Sequence, residues 1–184
     1  MLRAQQLVRA SGTRGTPVTV WVLNSYPPNV AVTRYLASVL DLIGYHTAVH
    51  VATDYHTFTD AVLDSRNQVQ ASMSGWIADY PSPLDFFGIL LTCRAFIPAS
   101  SGNLNDSEFC DHHLDRLIQA AEAAQAIDPT RAVELWQKAD QEAVNQAPWV
   151  PLTNELGLDV ISPAVGNYQH NPQWGTLLDQ LWVK

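Results

Sequence analysis

The first half of the chain alternates between strand-like and helix-like patterns of apolar residues. β-Branched and apolar residues at Pro17–Leu23 predict a strand. From Val30 to Ile43 apolar residues recur at helical spacing, with Asn29 as a suitable N-cap and Gly44 as a suitable residue after the helix. A second strand is predicted at His46–Ala52. A strand, a helix, a glycine and a strand in this order form a βαβ unit, which implies a parallel sheet with a right-handed crossover.

The second half continues the same α/β pattern before it becomes rich in turn residues. Two clear helices are predicted, one over Asp111–Gln125 and one that follows the N-cap Asp128 and runs to about Gln146. The other expected elements are a short helix at 58–63, a third strand at 69–74, an irregular segment at 75–85, extended pieces at 150–152 and 156–161, and an aromatic tail after Ser162. The pattern predicts an α/β fold with a mostly parallel sheet flanked by helices.

Composition narrows the class of protein. The 184 residues are 47% apolar and 15% charged, which is typical of a globular domain and not of a disordered segment. The net charge is −8 without any cluster of basic residues, so nucleic acid is not an expected partner. The residues from Met1 to Val8 look like the end of a helix that begins elsewhere, and we expect a segment of a longer protein. The first fifteen residues also lack the apolar core of a signal peptide.

Two cysteines, Cys93 and Cys110, flank a loop rich in Gly, Ser and Asn. Two buried thiols are one interpretation. A disulfide is the other, because a loop with few apolar residues has little to pack with and would gain about 3 kcal/mol from a covalent link. Composition leaves both open.

The irregular segment between Gly75 and Asp85 is the most informative stretch for function. It follows a predicted parallel strand, at the carboxyl end where open α/β sheets place their ligand crevices. Trp76 and Tyr80 offer apolar walls, and Asp79 between them offers a carboxylate for an ammonium group. The structural alternative is that Trp76 belongs to the core and Asp79 caps a turn.

The remaining groups of histidine, cysteine and glycine residues predict neither a catalytic site nor a metal site. His112 and His113 follow Cys110, but adjacent residues on a helix diverge by about 100°, and paired zinc-ligand spacings are absent from the sequence. His46, His50 and His56 are expected to be solvated residues in or beside a strand. No nucleophile elbow and no phosphate-binding glycine loop occur in the sequence. We therefore expect no enzyme, no cofactor and no metal.

Three motifs in order resemble the family 5 extracellular solute-binding proteins, which include dipeptide and oligopeptide binders. The first is GWIADYPSP at 75–83, close to the family's Gly-Trp-x-x-Asp segment. The second combines DRLI at 115–118, DPTR at 128–131 and LWQKA at 135–139. The third is QAPWVPL at 146–152, which looks like the family's Ala-Pro-x-x-Pro-Leu strand. One departure is Ser82, where many relatives have an acidic residue before proline.

The resemblance implies a site and a disulfide. The fold would be a lobe of a type II periplasmic binding protein, with Asp79 pairing with the α-ammonium of a peptide and Trp76 as a pocket wall. The remaining candidate ligand-binding residues are Tyr80, Asn24 and Tyr26. Dipeptide-binding relatives have a disulfide after this segment, which favours a bond between Cys93 and Cys110.

The resemblance also implies how the chain is divided and which partners it has. Residues 1–150 would form the C-terminal lobe, and 151–184 the returning hinge strand and a segment for the other lobe, with the hinge at Pro151, Leu152, Thr153 and Asn154. The expected function is binding of a peptide or similar small solute for a membrane permease of an ABC transporter, outside the cell or in the periplasm, or as a cell-surface lipoprotein. A sensory or regulatory protein that uses the same lobe is the alternative. Exposed Trp and Leu residues after the hinge would favour self-association.

Overall fold

In the described residues, three parallel strands form the central sheet: β1 (Pro17–Leu23), β2 (His46–Ala52) and β3 (Ala71–Met73). Their order in the sheet is β2–β1–β3. The computed structural model describes residues 1–25, 27–154 and 157–184. β1 and β2 pair over their whole length, and β3 pairs with Val20–Val22 on the other side of β1. The first two predicted strands and the parallel βαβ unit are confirmed.

In the part of the chain that the structure describes, six α-helices surround or follow the sheet. They are α1 (Leu2–Ala10), α2 (Pro27–Ile43), α3 (Tyr55–Val62), α4 (Leu84–Leu90), α5 (His112–Gln125) and α6 (Pro129–Gln146). Asp111 and Asp128 cap α5 and α6 by accepting hydrogen bonds from Leu114 N and Arg131 N, at 2.6 and 3.0 Å. Among the described residues, no helix is long and apolar enough to cross a membrane.

Several predicted boundaries were wrong for local reasons. α2 begins at Pro27 and not after Asn29, because the φ of proline suits the first turn of a helix. α3 begins at Tyr55, since the Asp54 side chain accepts a hydrogen bond from Thr57 N at 2.9 Å. β3 is shorter than predicted. Next to it the side chain of Gln70, and not its main chain, accepts a hydrogen bond from Thr19 N at 2.9 Å.

Two groups of apolar side chains form the core. One lies between α5 and α6, where Leu114, Ala121 and Ala139 are completely buried and Trp136 contacts Phe87 of α4 with ring centroids 5.7 Å apart. The other lies between α3 and the sheet and contains Phe58, Val62, Ala52, Trp21 and Leu23. Alternate residues of β1, such as Val22, point to the opposite face of the sheet.

The order of the strands defines where a ligand would bind. α2 connects β1 to β2 on one side of β1, while the connection through α3 crosses back to β3 on its other side. Right-handed crossovers in opposite directions place these helices on opposite faces of the sheet. In open sheets with such a reversal, ligands bind outside the carboxyl ends of the strands beside it, which here are β1 and β3. The observed architecture confirms the predicted α/β lobe with a mostly parallel sheet.

The tail forms small hairpins that the sequence did not predict. β4 (Val165–Gly166) pairs with β7 (Trp182–Val183), and β5 (His170–Asn171) pairs with β6 (Gly175–Thr176), both antiparallel. Residues 151–154, the predicted hinge, are exposed and have no regular secondary structure. Their role as a hinge and the division of the chain at 150 stay predictions.

Candidate functional site

The predicted ligand segment begins at the carboxyl ends of β1 and β3. β3 ends at Met73, whose pairing partner is Val22 of β1, so the segments that leave the two strands start side by side. One leads to Trp76 and Asp79, and the other leads to Asn24, whose N–H donates to the Ala52 carbonyl at 2.9 Å. Tyr26, also predicted here, lies outside the described residues. The sheet thus brings Asn24 to the same edge as the Trp76–Asp79 segment.

A buried carboxylate, Asp85 in the first turn of α4, organises this segment. Asp85 is fully buried, and its Oδ2 accepts two hydrogen bonds, from Trp76 Nε1 at 3.1 Å and from Asp79 N at 2.8 Å. Its other oxygen, Oδ1, has no hydrogen-bond partner among the described residues. Sequence reasoning had placed Asp85 at the end of the irregular segment without a role.

The Asp79 side chain is available for a ligand. It is exposed, and within the described parts of the chain no Lys, Arg or His forms an ion pair with it. The indole of Trp76 is half-buried beside it. The structural alternative for Asp79, a side chain that caps a turn, is not seen, because its main-chain N–H and not its carboxylate takes part in the local hydrogen bonds.

Negative charge accumulates around Tyr80, the residue that follows Asp79. Desolvation raises the pKa of the Tyr80 hydroxyl, and the charges of Asp85, Glu122 and Asp79 raise it further. Such a field favours a cationic group over an anionic one.

The disulfide loop supports the strand that leads into the site. Cys93 and Cys110 form a disulfide, as the resemblance implied. Within the loop the side chain of Asn105 is completely buried and donates to the Phe109 carbonyl at 2.8 Å, so the loop has more internal packing than its composition suggested. Asp106 in turn accepts a hydrogen bond from Ser74 Oγ at 2.8 Å, just before Gly75.

The cluster of Cys93, Cys110 and His112 offers no thiolate to a metal. Their ligand atoms lie within 4.8 Å of one another, but both sulfur atoms are used in the disulfide. His46 and His50 are exposed on β2, and His50 stacks on Trp21 with ring centroids 5.0 Å apart.

The tail reaches the same segment through a hairpin tip. Gln173 Nε2 donates to the Ala78 carbonyl, between Trp76 and Asp79. The Asn171 side chain shapes the tip by accepting from the N–H groups of Gln173 and Trp174, at 2.8 and 3.0 Å. Sequence reasoning missed this contact, because it joins residues 95 positions apart.

The fold and the position of the site define a lobe of a type II periplasmic binding protein, and known proteins support this class. No family model matches the chain. The di/tripeptide-binding protein 4 of Pseudomonas aeruginosa is 25% identical over 171 residues, which cover 92% of this chain and 31% of that protein. The heme-binding protein A of Haemophilus influenzae is 29% identical over 105 residues, which cover 57% of this chain and 18% of that protein.

Among solved structures, the ABC transporter-associated periplasmic binding protein DppA of Helicobacter pylori, in complex with the peptide STSA, matches with a TM-score of 0.69 and 21% identity. The match covers 80% of this chain and 27% of that one. The resemblance predicted from the sequence is confirmed: the chain is similar to a di/tripeptide-binding protein, a heme-binding protein and a peptide-bound, ABC transporter-associated periplasmic binding protein. The chain spans less than a third of the length of each of these three proteins, as expected for one lobe.

Proposed function

We propose that this chain is a ligand-binding lobe of a solute-binding protein that delivers peptides to an ABC transporter, and that Asp79 pairs with the α-ammonium of the peptide. The observation that carries the proposal is the exposed Asp79 carboxylate at the carboxyl edge of the sheet, which forms no ion pair with any residue in the described ranges. A desolvated ion pair with an ammonium is a strong, directional contact. Trp76 supplies the apolar wall, with Tyr80 and Asn24 as further contacts.

Features of the tail and of the relatives support a second lobe in the working protein. Apolar side chains after the proposed hinge are largely exposed, including Leu158 at 88%, Val160 at 89% and Leu178 at 74%. Such a surface is typical of one that a partner covers. The ligand would then lie between two lobes that close by a hinge motion about residues 151–154.

The relatives' names support the cellular setting. The Helicobacter protein is described as periplasmic and transporter-associated. We propose a location in the periplasm or outside the cell, free or as a surface lipoprotein, and binding without catalysis.

Without a second lobe the exposed apolar residues would favour self-association, which sedimentation equilibrium at 10 to 200 μM would detect as a mass above the chain's 20.3 kDa. A constant monomer mass over that range would exclude self-association.

The test of ammonium recognition is an NMR titration of the 184-residue chain with trialanine and with N-acetyl-trialanine. Because two lobes share the affinity, one lobe is expected to bind in the millimolar range, about −4 kcal/mol. Trialanine should shift the Trp76 indole and Asp79 amide signals, and the acetylated peptide should not, since it lacks the ammonium.

Two variants make the test specific. Asp79→Asn should weaken trialanine binding about tenfold, by loss of a charge-assisted contact. Asp140→Asn removes an exposed carboxylate on α6 and should change nothing. Equal responses to both peptides, or an Asp79→Asn variant that binds as well as the wild type, would remove Asp79 from this role.

A further inference from the structure

We infer that Asp85 is a positioning residue, which fixes the Trp76 indole and the Asp79 main chain in the orientation that ligand binding requires. This inference rests on the proposed function and adds a residue that does not touch the ligand itself. Asp85 is fully buried and therefore acts only through the two groups that it holds.

A single oxygen atom of Asp85 accepts both of these hydrogen bonds. Asp85 Oδ2 accepts from the Trp76 indole at 3.1 Å and from Asp79 N at 2.8 Å, so the wall and the charged group of the site share a single anchor. In the described residues the Trp76 side chain has no other hydrogen bond, and neither does the Asp79 N–H. The segment from Gly75 to Ser82 is neither helix nor strand. Its conformation therefore depends on Asp85, together with the hydrogen bond that the Ala78 carbonyl accepts from Gln173.

The free-energy cost of burying the Asp85 carboxylate indicates a role beyond folding. Burying a carboxylate is expensive, and Asp85 Oδ1 recovers none of the cost, because it lacks a hydrogen-bond partner in the described part of the chain. An apolar residue of similar size would fill the same space without that penalty. An apolar residue would not hold Trp76 and Asp79 in place. Trp76 is half-buried and Asp79 is exposed, so water could then accept the hydrogen bonds that Asp85 accepts now.

Asp85→Leu and Asp85→Asn separate positioning from packing. Leucine keeps the approximate shape and removes the acceptor. Asparagine can place its carbonyl oxygen at the Oδ2 position, accept both hydrogen bonds and remove only the charge. If Asp85 acts by positioning, Asp85→Leu should bind trialanine about tenfold more weakly. Asp85→Asn should restore most of that loss.

The Trp76 indole N–H provides a readout that needs no ligand. Its signal, assigned with Trp76→Phe, should exchange with solvent slowly in the wild type and in Asp85→Asn, and at least about tenfold faster in Asp85→Leu. Asp79→Asn should leave this exchange unchanged, because only its main chain contacts Asp85. Far-UV circular dichroism of each variant verifies that the lobe is folded.

The outcomes distinguish the inference from the proposed function. If the wild type does not discriminate between trialanine and N-acetyl-trialanine, the proposed function fails, whatever the indole exchange shows. If the wild type discriminates and Asp85→Leu discriminates equally well with unchanged indole exchange, the positioning role is wrong. Should Asp85→Leu fail to fold, Asp85→Ala removes the same acceptor without touching the wall: weaker trialanine binding with faster indole exchange supports the inference, and unchanged affinity with unchanged exchange overturns it.

Discussion

Removing the disulfide between Cys93 and Cys110 should destabilise the chain mainly through its unfolded state. The bond spans a sequence separation of 17 residues. By the loop-entropy relation, a closed loop of this length restricts the unfolded chain by about 3 kcal/mol. For a domain of this size that corresponds to a fall in melting temperature of about 6–12 °C.

The folded loop itself should survive the loss of the bond. Asn103 and Asn105 are buried in it, and Asn103 Nδ2 donates to the Asn105 carbonyl at 2.9 Å. Asp106 also anchors the loop to Ser74 at the end of β3. We therefore expect Cys93→Ser/Cys110→Ser to lower the free energy of unfolding while the native spectrum stays the same.

The assay is urea unfolding followed by circular dichroism, for the wild type with and without reductant and for the double variant. The reduced wild type and the variant should agree, and reductant should not affect the variant. A loss of stability below about 1 kcal/mol would refute the entropic account. A loss of native amide signals around β3 would show instead that the disulfide determines the folded conformation of the loop.

Two further predictions concern a partly buried acid and the helical core. Desolvation by burial raises the pKa of Asp106, although hydrogen bonds from the Ser74 and Ser72 hydroxyls partly counter the shift. Because the folded pKa lies above the unfolded value, this group's contribution to stability is complete below its ordinary pKa of 3.8 and is lost as pH rises through the raised value. Asp106→Asn should remove that loss, so in urea unfolding the variant should gain stability relative to the wild type as pH rises above 3.8, and parallel curves would contradict this. Leu114→Ala removes a completely buried side chain between α5 and α6 and should cost about 2–5 kcal/mol. A cost below about 1 kcal/mol in the same assay would mean that the core collapses around the gap.

The elements that the sequence predicted well are those whose local signals agree with their tertiary surroundings. β1 and β2 have the predicted bounds because both contain several β-branched residues and the two strands pair along their whole length. α6 follows Asp128, its predicted N-cap, and α5 begins one residue after its predicted first residue, Asp111, which caps it. Here the N-cap, the helical spacing of apolar residues and the buried face all select the same helix.

α4 was missed because its residues carry no helical pattern. The sequence LDFFGIL has seven residues, includes Gly88 and lacks a side-chain cap. Its conformation is stabilised from outside, by Phe87 against Trp136 and by the two hydrogen bonds that Asp85 accepts from the preceding segment. The tail hairpins have strands of only two residues, too short for any alternation to be recognised.

The sequence predicted the segment that we propose as the site, but it did not predict a role for Asp85, which holds that segment by hydrogen bonds. Trp76 and Asp79 stand in a recognisable motif, whereas Asp85 is linked to them only through an irregular turn. One signal was available: Asp85 is a single charged residue within an otherwise apolar run, Leu84 to Leu90. A carboxylate in such a run is normally buried only with partners that justify its cost.

The negative charge around Tyr80 indicates which end of a peptide would bind at the proposed site. Asp79, Asp85 and Glu122 all act on Tyr80, and no basic residue within the described chain forms an ion pair with Asp79. An ammonium group from a ligand would be attracted by these carboxylates, whereas a ligand carboxylate would be repelled by them. In the proposed complex we therefore expect the peptide amino terminus, and not its carboxylate, at this edge of the sheet.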